Sequence, residues 1–417
     1  MSGTKEKIFT SYQVFVIAIL VFIQFTVILD FMVLSPLGVF LLEDMKITPG
    51  QFGLVVSAYA ISAGLAGILA AGFADKYDRK KLLMFFYTGF ILGTVFCALA
   101  PTYPLLLLAR IVTGIFGGVL SSIGFAIVTD LFKVEVRGRV MGFTQMAFAV
   151  SQVLGLPVGL LLANHFSWHA PFWMIAIIGA AVGIVIQLYL RPITDHLALK
   201  NDRSPFQHLW KTVSNVDYLR AFLATTLLAT GGFMLMPFGS TFSVNNMMRT
   251  QDDLVWIYFA TGISTILFGP LIGIMSDKFG KFSVFAVGSV LSMAMVAIYT
   301  NLGPTPLYLA IILNIILFIG ITSRMISYSS LITAIPKPQD RGAFMSINSS
   351  VQQISGGIAA FIAGKIVYQA NEKAPLEHYD RLGVVVISSM IIATLLMYNL
   401  HLFVKKNPAT PPVNTVK

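Results

Sequence analysis

The chain has 417 residues, 56% hydrophobic and only 11% charged. A soluble domain carries about 25% charged residues, so there is too little polar surface here to cover a water-soluble globule, and the solvent for most side chains is lipid. The net charge of +10 does not point to nucleic acid, because the basic residues sit in short loops between apolar runs and no basic helix or arm can track a phosphate backbone.

A bilayer crossing takes about 20 apolar residues. Backbone amides in hydrocarbon must be satisfied within their own segment, which makes such crossings helical. Twelve are predicted, over 13–37, 51–73, 82–100, 104–128, 139–163, 170–190, 218–244, 254–275, 282–302, 306–330, 341–369 and 381–404. The first is of spanning length and lacks a small-residue cleavage site, so no signal peptide is predicted. Cys97 is the sole cysteine, which excludes an intramolecular disulfide and a cysteine metal site.

Basic residues set the orientation. Lys5, Lys7, Lys76–Lys81, Lys133, Arg137, Arg139, Lys278, Lys281, Lys337, Arg341, Lys405 and Lys406 fall on one side, with Lys46, Arg249, Lys373 and Arg381 on the other. The first side is expected to be cytoplasmic, and the even span number puts both termini there.

Span one contains ILDFMVLSPLG, with Asp30 embedded in apolar sequence, and span four contains LLLARIVTGIFGGV, with Arg110 similarly placed. A charge in a span costs several kcal/mol unless paired or hydrated, so each is a functional candidate. Span one runs outward and span four inward. Asp30 precedes the outer end of its span, and Arg110 follows the outer end of its own, by similar residue counts. At about 1.5 Å per residue both lie near 10 Å below the outer surface, a matched depth that permits a pair.

After span two comes GFADKYDRKK, from Gly72, and after span eight GIMSDKFGKF, from Gly273. Each combines a glycine, an acid (Asp75, Asp277) and following basic residues, about 200 residues apart. Arg137-Gly138 and Arg341-Gly342 open spans five and eleven at nearly the same offset. Charges are rare in this chain, so the recurrence reads as an internal repeat, and a duplicated multi-span chain is most simply a two-halved transporter. The halves are taken as 1–190 and 218–417, joined by a polar linker over 191–217 that holds Arg191, Lys200, Arg203, Phe206, Trp210 and Lys211. In the first loop Arg79, Lys80 and Lys81 can pair with Asp130 at the end of span four, and Asp75 with a helix N-terminus. Such a patch can latch the halves on one face, and the residues of the proposed gate are Gly72, Asp75, Arg79, Lys80, Asp130, Gly273, Asp277 and Lys281.

Span five contains GLPVG, with Gly155, Pro157 and Gly159. Proline in a spanning helix removes a hydrogen bond and bends it. Span seven holds Phe233, Met234, Met236, Pro237 and Phe238 beside Gly231 and Gly232, and methionine with aromatics makes an adaptable wall. Gln145, Gln152, Asn314, Asn348, Gln352 and Gln353 are polar groups in spans, open to either a cavity or interhelical hydrogen bonds. Arg324 in span ten is a second embedded cation, without an embedded acid in spans seven to twelve. It either snorkels to the inner surface or receives an anionic or zwitterionic substrate group. His165 and His169 flank an outer loop without a third ligand, so no metal is expected.

These motifs carry a resemblance. The loops after spans two and eight resemble the signature loop of the major facilitator superfamily, with Asp78 where glycine is usual and Gly280 retained in the second copy. R-x-x-x-G at Arg110–Gly114 resembles its span-four motif, Asp30 with Pro36 the span-one pattern of twelve-span drug:proton antiporters, and GLPVG their glycine–proline motif. The resemblance implies an all-α membrane fold of twelve helices in two pseudo-symmetric six-helix halves, and a site lined by spans one, four, seven and ten. It also implies a charge network between halves at Asp75, Arg79 and Asp130, and proton coupling at Asp30 and Arg110. The reading is a monomeric secondary transporter of a bacterial inner membrane, exporting a small organic compound against protons. Substrate contacts are placed at Arg324, Phe233, Met234, Phe238, Gln145 and Asn314. An importer or (lyso)lipid flippase of an anionic or zwitterionic substrate is the alternative. No cofactor and no enzymatic activity are expected, since no nucleophile–base set or phosphate-cradling loop occurs.

Overall fold

In a computed structural model that describes residues 9–70, 76–194, 197, 212–336, 340–371 and 373–406, the apolar runs are helices. Numbered by span, α1 is Ser11–Met32, α2 Pro49–Ala70, α3 Arg79–Leu99, α4 Tyr103–Leu131 and α6 Ala170–Tyr189. Between them, α5 runs as Val134–Val150, a π-turn at Ser151–Gly155, and Leu156–His165. In the second half α7 runs as Val216–Leu235, a 3₁₀ turn at Met236–Phe238, and Gly239–Asn245. The rest are α8 (Gln251–Phe279), α9 (Lys281–Tyr299), α10 (Leu307–Ile332), α11 (Arg341–Ile366) and α12 (Tyr379–Lys406). Among the described residues, 11 helices are long and apolar enough to cross a membrane. The remaining one, α11, is 26 residues long but carries Asn348, Gln352, Gln353 and several serines. Its principal neighbours are α2 and α7, so protein replaces lipid over much of its surface.

Span one is shorter than expected. α1 stops at Met32, and a turn over 33–37 leads into a short helix, Gly38–Asp44. Pro36 accounts for the break, since it has no N–H to continue the ladder. The two other irregularities also sit at prolines. Pro157 cannot donate to Val153, and the preceding turn widens so that Leu156 N–H reaches Ser151 O, a π-bulge. Pro237 forces the 3₁₀ turn of α7, whose Met236 carbonyl accepts from Gly239 N–H. It also accepts from Ser35 Oγ of the other half. Irregular backbone survives at membrane depth only where a neighbour satisfies it.

Within each half α1 packs on α5 and α6, α3 on α4 and α6, α7 on α11 and α12, and α9 on α10 and α12. The halves meet along α2–α11 and α5–α8. The α2–α11 seam is closed by backbone contact: a Cβ added at Gly53 would lie 2.7 Å from Ala360 O, one at Gly64 2.8 Å from Ser350 O, and one at Gly364 2.8 Å from Pro49 O.

Packing is asymmetric along the bundle axis. At the Lys46 end one apolar core runs through both halves, joining Leu29, Phe52 and Leu160 to Met234, Phe242 and Ala360. At the opposite, basic end there are two separate cores, one around Leu20, Phe86 and Ile127 and one around Phe222, Phe285 and Phe344. Among the described residues the polar bridges between halves also lie at the Lys46 end. Ser240 Oγ donates to Ser35 O at 2.7 Å, Asn164 Nδ2 to Asp252 Oδ1 at 2.8 Å, and Lys373 Nζ sits 3.0 Å from Glu43 Oε1. Among the described residues, the halves share one apolar core at the Lys46 end and keep separate cores at the basic end.

Candidate functional site

Asp30 comes from α1 and Arg110 from α4, and both side chains are fully buried. Arg110 Nη1 lies 2.6 Å from Asp30 Oδ2. Asp30 Oδ1 accepts from Thr94 Oγ1 of α3 at 3.2 Å. The guanidinium lies 4.4 Å above the ring of Tyr59 of α2, which adds a cation–π attraction. The ion pair is one-armed, because Arg110 Nε and Nη2 have no hydrogen-bond partner. An arginine–carboxylate pair reaches full strength as a two-bond fork. This one forgoes half of that, so one proton on Asp30 removes the only charged contact the guanidinium has among the described residues. The matched depth read from sequence therefore corresponds to a direct contact.

The pair adjoins the seam between halves. Tyr59 meets Phe31 with ring centroids 5.4 Å apart, and Phe31 meets Phe233 of α7 at 5.5 Å. Beside Asp30, Leu29 packs against Gly155, where a Cβ would come within 2.6 Å of it, and Val33 against Gly159 at 3.0 Å. The glycines of GLPVG thus let α5 lie directly on the α1 segment that carries the acid.

The proposed gate residues divide. Gly72 and Asp75 lie outside the described residues. Arg79 Nε is 2.9 Å from Asp130 Oδ2, and this pair joins α3 to α4 inside the first half rather than bridging the halves. Lys80 Nζ donates to Gln187 O of α6 at 2.9 Å, and Lys281 Nζ to Ser330 O at the end of α10 at 3.4 Å; Asp130 is not the partner of Lys80. Lys81 and Asp277 are exposed, and a Cβ added at Gly273 would meet nothing within 4 Å outside its own helix backbone. Aligned on their acids, Gly273 stands opposite Ala71, not Gly72, so the repeat is carried by the acid and bases. The Asp78 departure has a backbone reason. Asp78 has φ −54° and caps α3 by accepting from Lys80 N at 2.9 Å. Gly280, its counterpart, has φ +92°, a conformation nearly restricted to glycine.

Of the substrate candidates, Met234 and Phe238 are buried at the Lys46 end, Phe238 against Phe52 at 5.8 Å. Phe233 is half-buried between Phe31 and Gly356. Asn314 Oδ1 accepts from Thr261 Oγ1 at 3.3 Å. The side chain of Gln145 lies outside the described residues. Asn348 is bonded within the second half, to Thr225 and to Tyr328, the latter at 3.3 Å. Gln152 is buried with its Oε1 unpartnered. Arg324 is only 3% exposed; it does not snorkel. His165 Nδ1 donates to Leu161 O and His169 Nδ1 to Ala98 O, each at 2.9 Å. Among the described residues no group of metal-ligating side chains occurs.

Sequence reasoning missed Thr94, Tyr59, and the Ser35–Ser240 and Glu43–Lys373 bridges. It also missed the pairing of the α2 and α11 glycines.

The Major Facilitator Superfamily family profile matches residues 20–360 and again 221–415. The chain belongs to the Major Facilitator Superfamily. As a superfamily member it is a transporter and an integral multi-pass membrane protein. An uncharacterized MFS-type transporter of Bacillus subtilis, YceJ, is 26% identical over 276 residues, covering 66% of this chain and 70% of that protein. Multidrug resistance protein 3 of the same organism is 33% identical over 153 residues, 36% of this chain and 30% of its own length. A probable sugar efflux transporter of Helicobacter pylori is 23% identical, covering 78% of this chain and 82% of its own. Among solved structures, a bacterial homolog to the human lysosomal transporter Spinster, inward-facing and unoccupied, superposes with a TM-score of 0.76 at 18% identity, covering 97% of this chain and 100% of that one. That superposition shows the major facilitator fold of twelve helices in two halves.

Proposed function

We propose that this superfamily member is a proton-coupled exporter of a small organic compound, working by alternating access in a bacterial inner membrane with both termini cytoplasmic. The observation that carries the reading is the buried, one-armed Asp30–Arg110 pair at the junction of α1, α2, α3 and α4. With the basic end cytoplasmic, the shared core at the Lys46 end and the separate cores at the basic end support an inward-facing state. A proton bound at Asp30 Oδ2 neutralises the acid, breaks the charge attraction to Arg110, and leaves Thr94 on Oδ1. The freed guanidinium then favours an arrangement of α1 and α4 that supplies another acceptor or water. Because Leu29 and Val33 press on Gly155 and Gly159, and Phe31 on Phe233, a shift of α1 is passed to α5 and α7. The names of the multidrug and sugar efflux relatives support export. Residues 1–190 and 218–417 act as the rocking units, joined by 191–217, and the Arg79–Asp130 pair stiffens the first unit at its gating face.

One observation favours a second reading, an importer or lipid flippase of an anionic or zwitterionic compound: Arg324 is buried without an acid partner among the described residues. Everted membrane vesicles given an imposed pH gradient test the first. A panel of ethidium, fluorescein and glucose covers cationic, anionic and neutral cargo. Accumulation of at least one should collapse when the gradient is dissipated and when Asp30 is changed to Asn. Gradient-independent accumulation, or intact coupling in Asp30→Asn, overturns the mechanism.

A further inference from the structure

The two embedded arginines are compensated differently. Arg110 has Asp30. Arg324, 3% exposed on α10, has no ion pair among the described residues, and its Nε and Nη2 have no hydrogen-bond partner. The acids of α7–α12 lie toward helix ends: Asp217, Asp252, Asp253, Asp277 and Asp380. Arg324 is 17 residues past the start of α10 and eight before its end. At about 1.5 Å per residue it is more than 10 Å from either end. A buried guanidinium without a counter-charge costs several kcal/mol, and arginine does not shed its proton to escape that cost.

The Phe285 ring and Gly231 beside its guanidinium are uncharged. The ring of Phe285 on α9 lies 5.6 Å from the guanidinium carbon. Gly231 of α7 faces Nη1, 3.8 Å from where a Cβ would stand. The α9–α10 seam is close-packed at Gly288 and Gly320, where added Cβ atoms would lie 2.6 Å from Ser323 Cβ and 2.5 Å from Ser292 Oγ. Ser289 and Ser292 on that seam are fully buried with unpartnered hydroxyls. A cation with two free donors lies beside a seam that holds two further unpartnered hydroxyls, each able to donate, and the described residues offer it no anionic acceptor.

We infer that Arg324 is completed by an exchangeable anionic group of single charge, a carboxylate, phosphate or halide, held among α7, α9 and α10. Such a group supplies the acceptors that the helices do not. Gly231 presents no side chain over Nη1, and the neighbour on that side is the flexible Met390, 3.6 Å from where a Cβ would stand. The site stands without proton-coupled export; only its assignment to the cargo, rather than to a resident inorganic ion, rests on that reading.

The test uses the purified full chain in detergent. Thermal unfolding is followed while chloride, inorganic phosphate, acetate or benzoate replaces gluconate at equal ionic strength. At least one of the four should raise Tm by several degrees with a saturating concentration dependence. Benzylamine should not. Arg324→Gln should lose the shift and, in gluconate, should unfold no lower than the wild type, because an uncompensated charge has gone. Arg324→Lys should keep part of the response, and the exposed Arg220→Gln all of it. A purely structural arginine predicts the reverse sign for Arg324→Gln in gluconate. No saturable shift in the wild type, or an equal shift in Arg324→Gln, overturns the site. Proteoliposome uptake of radiolabelled benzoate then separates the sources: Arg324-dependent uptake assigns the anion to the cargo, and binding without uptake overturns that assignment while leaving the site.

Discussion

Arg110 holds Asp30 through one nitrogen only, Nη1 to Oδ2 at 2.6 Å, with both side chains fully enclosed. That geometry gives a large difference between single and double substitution. Asp30→Ala leaves the guanidinium buried and unpaired and should destabilise the protein by about 3–5 kcal/mol. Asp30→Ala with Arg110→Leu should recover most of that loss. Denaturant unfolding of the four proteins in one detergent checks the cycle, and additive losses would contradict the contact.

The shared core at the Lys46 end needs α2 and α11 in backbone contact. Gly53→Val places side-chain atoms where Ala360 O now lies and should hold this end apart. In a Cys97→Ser background a reporter at Ser240→Cys is buried when the end is closed, as Ser240 is now. Its alkylation by a membrane-impermeant maleimide should rise at least tenfold when Gly53→Val is added. An unchanged labelling rate would show that the seam tolerates the extra volume.

Ser35 and Ser240 bridge the halves through the Ser240 Oγ to Ser35 O bond of 2.7 Å. Cysteines at both positions, again without Cys97, should cross-link under mild oxidation and stop transport. Reductant should restore it. Full activity of the cross-linked protein would mean that this end does not open.

The two signature loops should respond oppositely to the same chemistry. Gly280→Ala forces a side chain onto φ +92° and should cost roughly 1–3 kcal/mol. Asp78→Gly removes the cap on α3 and the bond that Oδ1 accepts from Ile193 N at 3.1 Å, and should cost about 1 kcal/mol, against about 2 kcal/mol for Asp78→Ala. Thermal unfolding of the three variants distinguishes backbone strain from loss of a cap.

Much of this was legible in the sequence because lipid simplifies the code. Scarce charges and spanning-length apolar runs gave the helix count, and matched depth permitted the contact that Asp30 and Arg110 make. Depth is one-dimensional, however, and carries no rotation about the helix axis. Arg79 and Lys80 are neighbours in sequence, yet one reaches Asp130 and the other the Gln187 carbonyl. Thr94 and Tyr59 carry no charge to mark them against ordinary packing residues. Pro36 was visible, but whether a helix bends at a proline or stops there depends on what receives the freed carbonyls. Met234 and Phe238 could be read as an adaptable wall. Their burial at the Lys46 end depends on the conformational state, which composition does not encode.

The central claim, that Asp30 carries the coupling proton, is tested most directly in proteoliposomes of purified protein with any of the panel compounds that wild type moves. Gradient-driven accumulation and gradient-free exchange are measured side by side for wild type and Asp30→Asn. The account predicts that Asp30→Asn loses accumulation at least tenfold while still exchanging the compound across the membrane. Accumulation retained in Asp30→Asn at the wild-type level would contradict it.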